Sequence, residues 1–332
     1  SVWQQVINLI NSRHSFVITA HVNPDCDALG SELALAEHLT ALGKQVAIIN
    51  SDQTPPAFRF LDPKKIIRRY SPKRHNPQIT QAEVIVVLDA SGGWSRLGAI
   101  GDILEKTNAF KLCIDHHPDA TDFVDVAVVD TTAAATSELI FKLIEGMGGT
   151  LSPNMAQALY AAIVTDSGSF RFPNTSPATH RITAQLLKAG ADPSYIYTQI
   201  YEQNSLGAVR LRGHVMDSIQ TTAGGQIAYY GLTKKNLKAY GVKPLELDGF
   251  ASLGQQEAGV RVTVYCLEAS QRKVKISLRS DNSVAINQIA QSFGGGGHAG
   301  AAGALVSGQL NDVLTEVLER VSELLEDTRA ES

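Results

Sequence analysis

Residues 16–31 read "FVITAHVNPDCDALGS". The first five are apolar or β-branched and suit a strand, while "DALGSELALAEHLTALG" (27–43) carries the spacing of a helix. Between the two lie His21, Asp25 and Asp27, a histidine and two aspartates within seven residues. A strand that passes through a short loop straight into a helix is the first half of a βα unit, from which parallel sheets covered by helices are built.

The alternation continues along the chain. Strands are expected at "QVAIIN" (45–50), "EVIVVLDA" (83–90), "KLCID" (111–115) and "VAVVD" (126–130), and helices at 133–148 and 152–166. The second of these opens with Ser152 as N-cap and Pro153 in its first turn. The periodicity then stays helical to about residue 220. Strands return at 225–232, 260–269 and 273–280, followed by a helix, a glycine run and an amphipathic helix over 309–326. The expected fold is α/β: an N-terminal domain (1–185) with a mainly parallel sheet flanked by helices, a helical connector (186–221), and a smaller C-terminal α/β domain (222–332).

Composition narrows the function. With 332 residues, 44% hydrophobic and 19% charged, the chain has the make-up of a soluble globular protein, and its net charge of -4 excludes a generally basic nucleic-acid binder. The three cysteines, Cys26, Cys113 and Cys266, show no CxxC spacing, so neither a disulfide framework nor a thiolate zinc site is indicated. No apolar run approaches the roughly 18 residues that span a bilayer, and the start "SVWQQVINLINSRH" lacks the pattern of a secretory signal. A cytoplasmic protein with no membrane partner is expected.

Acidic residues recur at or just past the ends of the expected strands. His21, Asp25 and Asp27 follow the first, Asp89 ends "VIVVLD", and Asp115, His116 and His117 follow "KLCI"; Asp166 closes a helix. Ligands of open parallel sheets bind in the crevice beyond the strand C-termini, so these groups should converge. Taken singly each has a bland reading: Asp27 as a helix cap, Asp89 bonded to a loop amide, the histidine pair on the surface. Taken together, four carboxylates and two or three imidazoles in one crevice repel one another unless a cation lies between them. Carboxylate with imidazole and no thiolate suits manganese or magnesium, and six ligands suffice for two ions if one carboxylate bridges. The remaining histidines, among them His38 and His75, have no such context.

The ordered set "HVNPDCD", "VLDAS", "IDHH" and "TDSGSF" resembles the four motifs of the DHH phosphoesterase superfamily, and "FGGGGHAGAAG" resembles the signature of its DHHA1 C-terminal domain. The resemblance implies a site with two divalent metal ions, Mn2+ before Mg2+. His21, Asp25 and Asp89 would hold one, and Asp27, Asp89, His116 and Asp166 the other. It implies catalytic roles for Asp89, His116, His117 and Asp115, with His117 facing the substrate and Asp115 orienting an imidazole. Two ions about 3.5 to 4 Å apart would activate a water and hold a phosphoryl oxygen, so no protein nucleophile is needed.

"SFGGGGHAGAAGA" (292–304) is the second informative stretch. Consecutive glycines let backbone amides approach a phosphate closely, which a flexible linker would not explain given the flanking apolar segments and one central histidine. Gly295, Gly296, Gly297 and His298 are the expected contacts, together with Arg279 in "SLRS", whose guanidinium can grip phosphate with two bonds, and Arg96 in "SRLG". "KKIIRRYSPKR" (64–74) reads as a solvated charged face. Ala285 departs from the acidic or polar residue of the resembling pattern.

Chains with DHH and DHHA1 domains alone resemble the NrnA-type oligoribonuclease and 3'-phosphoadenosine-5'-phosphate phosphatase group. The expected substrates are therefore short single-stranded RNA oligonucleotides and adenosine 3',5'-bisphosphate, with a homodimer as the expected assembly. The alternatives are a linear dinucleotide phosphodiesterase, a pyrophosphate or short polyphosphate hydrolase, and a non-catalytic nucleotide sensor.

Overall fold

The computed structural model describes residues 1–118, 120–247 and 249–330, with the backbone alone for His298 and for 328–330. It divides into two compact units, Ser1–Gln203 and Asn204–Ser332. The helix Pro193–Tyr201 falls in the first and the helix Leu206–Ser218 in the second.

In the first unit, β1 (Ser15–Ala20), β2 (Gln45–Asn50), β3 (Ile67–Arg69), β4 (Val84–Leu88), β5 (Phe110–Asp115) and β6 (Val126–Val129) form one sheet in the order β3-β2-β1-β4-β5-β6. Every pairing is parallel, as the βα alternation predicts. Phe16 and Ile18 enter the apolar core on one face of β1 and Val17 the core on the other. A strand apolar on both faces must be covered on both, which is why "FVITA" reads as a continuous apolar run. Strand order reverses between β1 and β4, and the crevice above their carboxyl ends is the switch point of the sheet. The edge strand β3 is a correction: its two arginines belong to the stretch read as a charged face, and parallel pairing with β2 recruits it despite that composition.

The helix Cys26–Ala41 lies between the sheet and the helix Pro153–Asp166 and is buried almost all round. Close approach of the two helices requires Gly30, because a Cβ there would sit 2.5 Å from the Ala158 carbonyl oxygen. The same helix carries a fully buried Glu32. Asn50 donates from Nδ2 to Glu32 Oε2 (2.9 Å), while Asn50 Oδ1 accepts the Ala20 N–H (3.1 Å) and the Thr19 hydroxyl (3.3 Å). One buried polar chain thus ties the helix to the ends of β2 and β1, just before His21.

The second unit holds β7 (Gln220–Thr222), β8 (Ile227–Leu232), β9 (Val262–Ser270), β10 (Lys273–Ser280), β11 (Gly296–His298) and β12 (Ala301–Ser307), in the order β11-β12-β10-β9-β8-β7. Only β8 and β9 pair in parallel. The helix Leu310–Ala330 covers one face through Val313, Val317, Val321 and Leu325. Gly296 and Gly297 lie in the edge strand β11, paired with Gly303 and Ala302. Gly295 precedes it, packed so tightly that a Cβ would lie 2.1 Å from the Gly303 carbonyl oxygen. No helix among the described residues is long and apolar enough to cross a membrane.

Burial raises the Glu32 carboxyl to about 8, partly offset by the Asn50 hydrogen bond. A carboxyl whose folded value exceeds its unfolded value keeps its proton in the folded state. The wild type therefore loses stability as pH rises from the ordinary glutamate range to about 8, and the loss levels off above that. Glu32→Gln, which has no proton to lose, should match the wild type near pH 4 and become progressively more stable than it toward pH 8. Denaturant titrations of the metal-free proteins across that range check this; a stability difference independent of pH would show that Glu32 is ionised throughout.

Candidate metal centre

The carboxyl ends of β1, β4 and β5 each deliver part of one cluster. After β1, His21 is followed by a turn in which Asn23 takes a positive φ of 52°, and the Val22 N–H donates to the Arg96 carbonyl (2.9 Å). Asp25 then caps the helix Cys26–Ala41, its Oδ1 accepting the N–H groups of Asp27 and Ala28 at 3.0 Å each. The cap belongs to Asp25, whereas Asp27 is in the first turn with its side chain buried. Asp89 follows β4 with φ of 58°, a left-handed conformation that aspartate tolerates better than most residues and that turns its carboxylate over the sheet end. Asp115 ends β5, His116 and His117 follow, and Asp166 is the last residue of its helix.

Side-chain atoms of three sets, each within 4.8 Å of one another, compose the cluster: His21, Asp25 and Asp89; Asp27, His116 and Asp166; and Asp89, Asp115, His116 and His117. Asp89 stands between the imidazoles. His21 Nε2 is 3.4 Å from its Oδ2, and His116 Nε2 and His117 Nδ1 are 3.8 and 3.4 Å from its Oδ1. His116 Nε2 also lies 3.2 Å from Asp166 Oδ2 and 4.0 Å from Asp27 Oδ2, and His21 Nε2 lies 3.9 Å from Asp25 Oδ2.

Hydrogen bonds behind the cluster fix which ring nitrogen faces inward. His21 Nδ1 lies 2.8 Å from the Val22 carbonyl and His116 Nδ1 lies 3.2 Å from that of Ala133. A carbonyl only accepts, so each Nδ1 carries a proton and each Nε2 is the nitrogen turned to the carboxylates, which it meets through a proton or a cation. The His116 Nε2 is buried with no protein hydrogen-bond partner among the described residues. An unprotonated Nε2 facing carboxylate is repulsive in a buried setting, and either a proton or a divalent cation resolves it; the donor set of imidazole and carboxylate fits such an ion. His117 differs: its Nδ1 is turned to Asp115 Oδ1 at 2.8 Å. Asp115 also accepts the backbone N–H groups of Ser91, His116 and His117, which makes it the holder of His117 and of the turn.

With protein groups alone, protons take the place of a cation. Burial, then the charges of Asp89 and Asp25, hold Asp27 well above the usual carboxylate range; burial, then Asp27, Asp89 and Asp25, do the same for Asp166. Burial by itself would lower the two imidazoles, but hydrogen bonds and carboxylate charges override it and push His21 to about 9 and His117 to about 11. Asp89 is held low: burial opposes ionisation, and the His117 and His21 hydrogen bonds outweigh it.

Thr136 and Ser137 are not legible in sequence as part of this site. The helix expected from residue 133 begins at Thr136, and its first N–H groups, from Thr136 and Ser137, donate to the two oxygens of Asp27 at 2.7 and 3.0 Å. Asp27 thereby satisfies the orphan donors of a helix 109 residues away in sequence. The Thr136 hydroxyl donates to Asp89 Oδ1 at 2.9 Å. The only hint in sequence is "TSEL", a helix start without a destination. Arg96 is exposed on the short helical segment Trp94–Ile100, whose backbone is bonded to the turn after His21. Arg279 lies in the second unit on β10, where its Nη1 donates to the Leu278 carbonyl (2.9 Å). Its Cα pairs across β10 and β12 with Ala301, which pairs in turn with His298. The side chain of His298 lies outside the described residues.

Removing the Thr136 hydroxyl should loosen Asp89 without emptying space. Thr136→Val is expected to weaken Mn2+ binding about 10- to 100-fold, as loss of a partner of a metal ligand does, and Thr136→Ser should restore it. Manganese titration followed by electron paramagnetic resonance reads this without any substrate; wild-type affinity in the valine variant would remove Thr136 from the site.

The DHH family, N-terminal domain, matches residues 15–163, and the DHHA1 domain matches residues 224–327. The chain is similar to two proteins named bifunctional oligoribonuclease and PAP phosphatase NrnA. That of Thermus thermophilus is 33% identical, over 94% of this chain and 90% of the relative. That of Bacillus subtilis is 28% identical, over 91% of this chain and 92% of the relative. Among solved structures, an exopolyphosphatase-related protein from Bacteroides fragilis superposes with a TM-score of 0.92 at 28% identity, covering 97% of this chain and 95% of that one. With both domains matched in order and relatives aligned over nearly their whole length, the chain belongs to the DHH family of phosphoesterases that carry a C-terminal DHHA1 domain.

Proposed function

We propose that this protein is a divalent-metal phosphoesterase that hydrolyses short oligoribonucleotides, of two to about five nucleotides, to mononucleotides and removes the 3'-phosphate of 3'-phosphoadenosine-5'-phosphate to leave AMP. The observation that carries the reading is the pair of imidazoles, His21 and His116, each tied by Nδ1 to a backbone carbonyl and presenting Nε2 to the buried Asp89. The named activities of the Thermus and Bacillus relatives supply the substrate class.

His21, Asp25 and Asp89 would hold one ion and Asp27, Asp89, His116 and Asp166 the other, with Asp89 common to both. Two divalent ions in such a site supply Lewis acidity toward a phosphoryl oxygen and lower the pKa of a water, and oxygen with imidazole donors suits Mn2+, with Mg2+ second. Thr136 keeps the Asp89 carboxylate aimed. His117, held by Asp115, hydrogen-bonds the phosphoryl or leaving oxygen. In the second unit Arg279, the glycines 295–297 and His298 are the contacts for a phosphate or sugar, and in the first Arg96 is a phosphate contact beside the His21 turn.

Assaying a two-nucleotide RNA, adenosine 3',5'-bisphosphate and pyrophosphate side by side with Mn2+ tests the proposal. The first two should be turned over and Asp89→Asn should abolish both reactions; preference for pyrophosphate would overturn it in favour of a polyphosphate hydrolase. The histidine pair should separate. His117→Ala should lower kcat with metal stoichiometry preserved, and His116→Ala should lower both; equal metal loss in the two variants would reverse their roles.

A further inference from the structure

Lys64, Lys65, Arg68, Arg69, Lys73 and Arg74 occupy one short stretch, and no acidic residue occurs from Pro63 to Ala82. All six are exposed, and among the described residues none of their charged groups has an ion pair, in contrast to Arg13, Lys142 and Arg320 elsewhere. Asp62, the acid that precedes them, is buried, and its two oxygens accept the N–H groups of Ile66 and Ile67 at 2.8 and 2.9 Å. His75 beside them is held below the ordinary imidazole value, first by burial and then by the charges of Arg74 and Arg68. A solvated face usually mixes signs; this one does not.

Its place in the fold gives the charge a use. Arg69 pairs in register with Asn50 at the carboxyl end of β2, and Asn50 Oδ1 accepts the N–H of Ala20 at the carboxyl end of β1, the residue before His21. With neighbouring strands about 4.8 Å apart, the Arg69 backbone stands about 10 Å from the strand end that delivers His21. A depression of about 470 Å³ opens there, lined among others by Ser51, Arg69, Tyr70, Asn76, Asp102 and Lys106, with Asp102 the one acid in its wall. The Tyr70 ring is already ordered, stacked on His75 at 6.3 Å and donating its hydroxyl to Asn76 Oδ1 (2.6 Å). Cations of one sign beside an ordered aromatic ring form the combination that holds single-stranded nucleic acid.

We propose that the β3 edge and the depression beside it bind the sugar-phosphate backbone of a single-stranded oligoribonucleotide whose scissile phosphodiester lies at the metal centre. This rests on the function proposed above and says where the rest of the substrate goes. The net charge of -4 repels a polyanion at a distance, and a local positive edge on the rim of the site offsets that repulsion where the substrate arrives. A dinucleotide is too short to use the edge; longer oligonucleotides gain from it.

The test is the quadruple variant Arg68→Gln, Arg69→Gln, Lys73→Gln, Arg74→Gln in the full chain loaded with Mn2+. Hydrolysis of a two-nucleotide RNA should stay within about twofold of wild type, which also reports that the fold is intact. Binding of a hydrolysis-resistant phosphorothioate pentaribonucleotide, followed by fluorescence anisotropy, should weaken about tenfold or more at low salt. The slope of log affinity against log salt should become shallower by about 0.7 for each phosphate that the variant no longer neutralises. Arg68→Lys, Arg69→Lys keeps the charge and should bind as wild type, a second measurement that holds even if the quadruple variant fails to fold. Unchanged pentamer affinity and slope in the quadruple variant would overturn the inference, as would loss of binding in the charge-conserving one. So would an edge that binds phosphatidylserine-rich vesicles and leaves RNA affinity untouched. If the wild type cleaves no RNA yet binds the pentamer in a way the variant does not, the edge stands and the proposed reaction falls; cleavage of the dinucleotide with identical pentamer binding sinks the edge alone.

Discussion

Three buried carboxylates, those of Asp27, Asp89 and Asp115, crowd the carboxyl ends of a parallel sheet, and the first unit is arranged around satisfying them. A buried carboxylate without partners costs several kcal/mol, so each needs donors. Backbone provides most of them: Thr136 and Ser137 for Asp27, and Ser91, His116 and His117 for Asp115. The Asp89 carboxylate instead depends on the Thr136 hydroxyl and on imidazoles. It belongs to two of the three sets of candidate ligands, so an ion held by either would meet it.

The elements that hold the cluster serve two ends at once. Asp25 uses one oxygen as a helix cap and turns the other toward His21. Asp27 starts a second helix and also faces His116. Candidate metal ligands that double as caps are held in place by the fold itself, because moving them would break a helix end. Gly30 and the Glu32–Asn50 chain extend the same rigidity one layer back, fixing the helix that carries Asp27 against the strands that carry His21 and Asp89.

In the second unit packing accounts for Gly295 and Gly297 of the glycine run. Gly295, Gly297 and Gly303 lie where a Cβ would meet a backbone carbonyl within 2.7 Å, so the edge hairpin closes only without side chains. Among the described strands β11 pairs on one side only, which leaves its outer edge as a row of backbone groups. The phosphate contact expected from those glycines therefore relates to a strand edge.

The α/β class, the positions of most strands and the ordered acidic motifs are legible in the amino-acid sequence, because apolar periodicity and strand-end chemistry are local properties. His21, Asp25, Asp27, Asp89, Asp115, His116, His117 and Asp166 stand out there as candidates before any distance is known. Folding alone brings Thr136 to Asp89, sets Asp27 at the start of a helix more than one hundred residues away, and pairs "IRR" as an edge strand near the site. Those three depend on partners that are distant along the chain: a threonine, a helix start and a pair of arginines carry no mark in sequence of what they will face. Local pattern specifies what an element is, whereas which groups meet at the ends of β1, β4 and β5 follows from the strand order of the sheet.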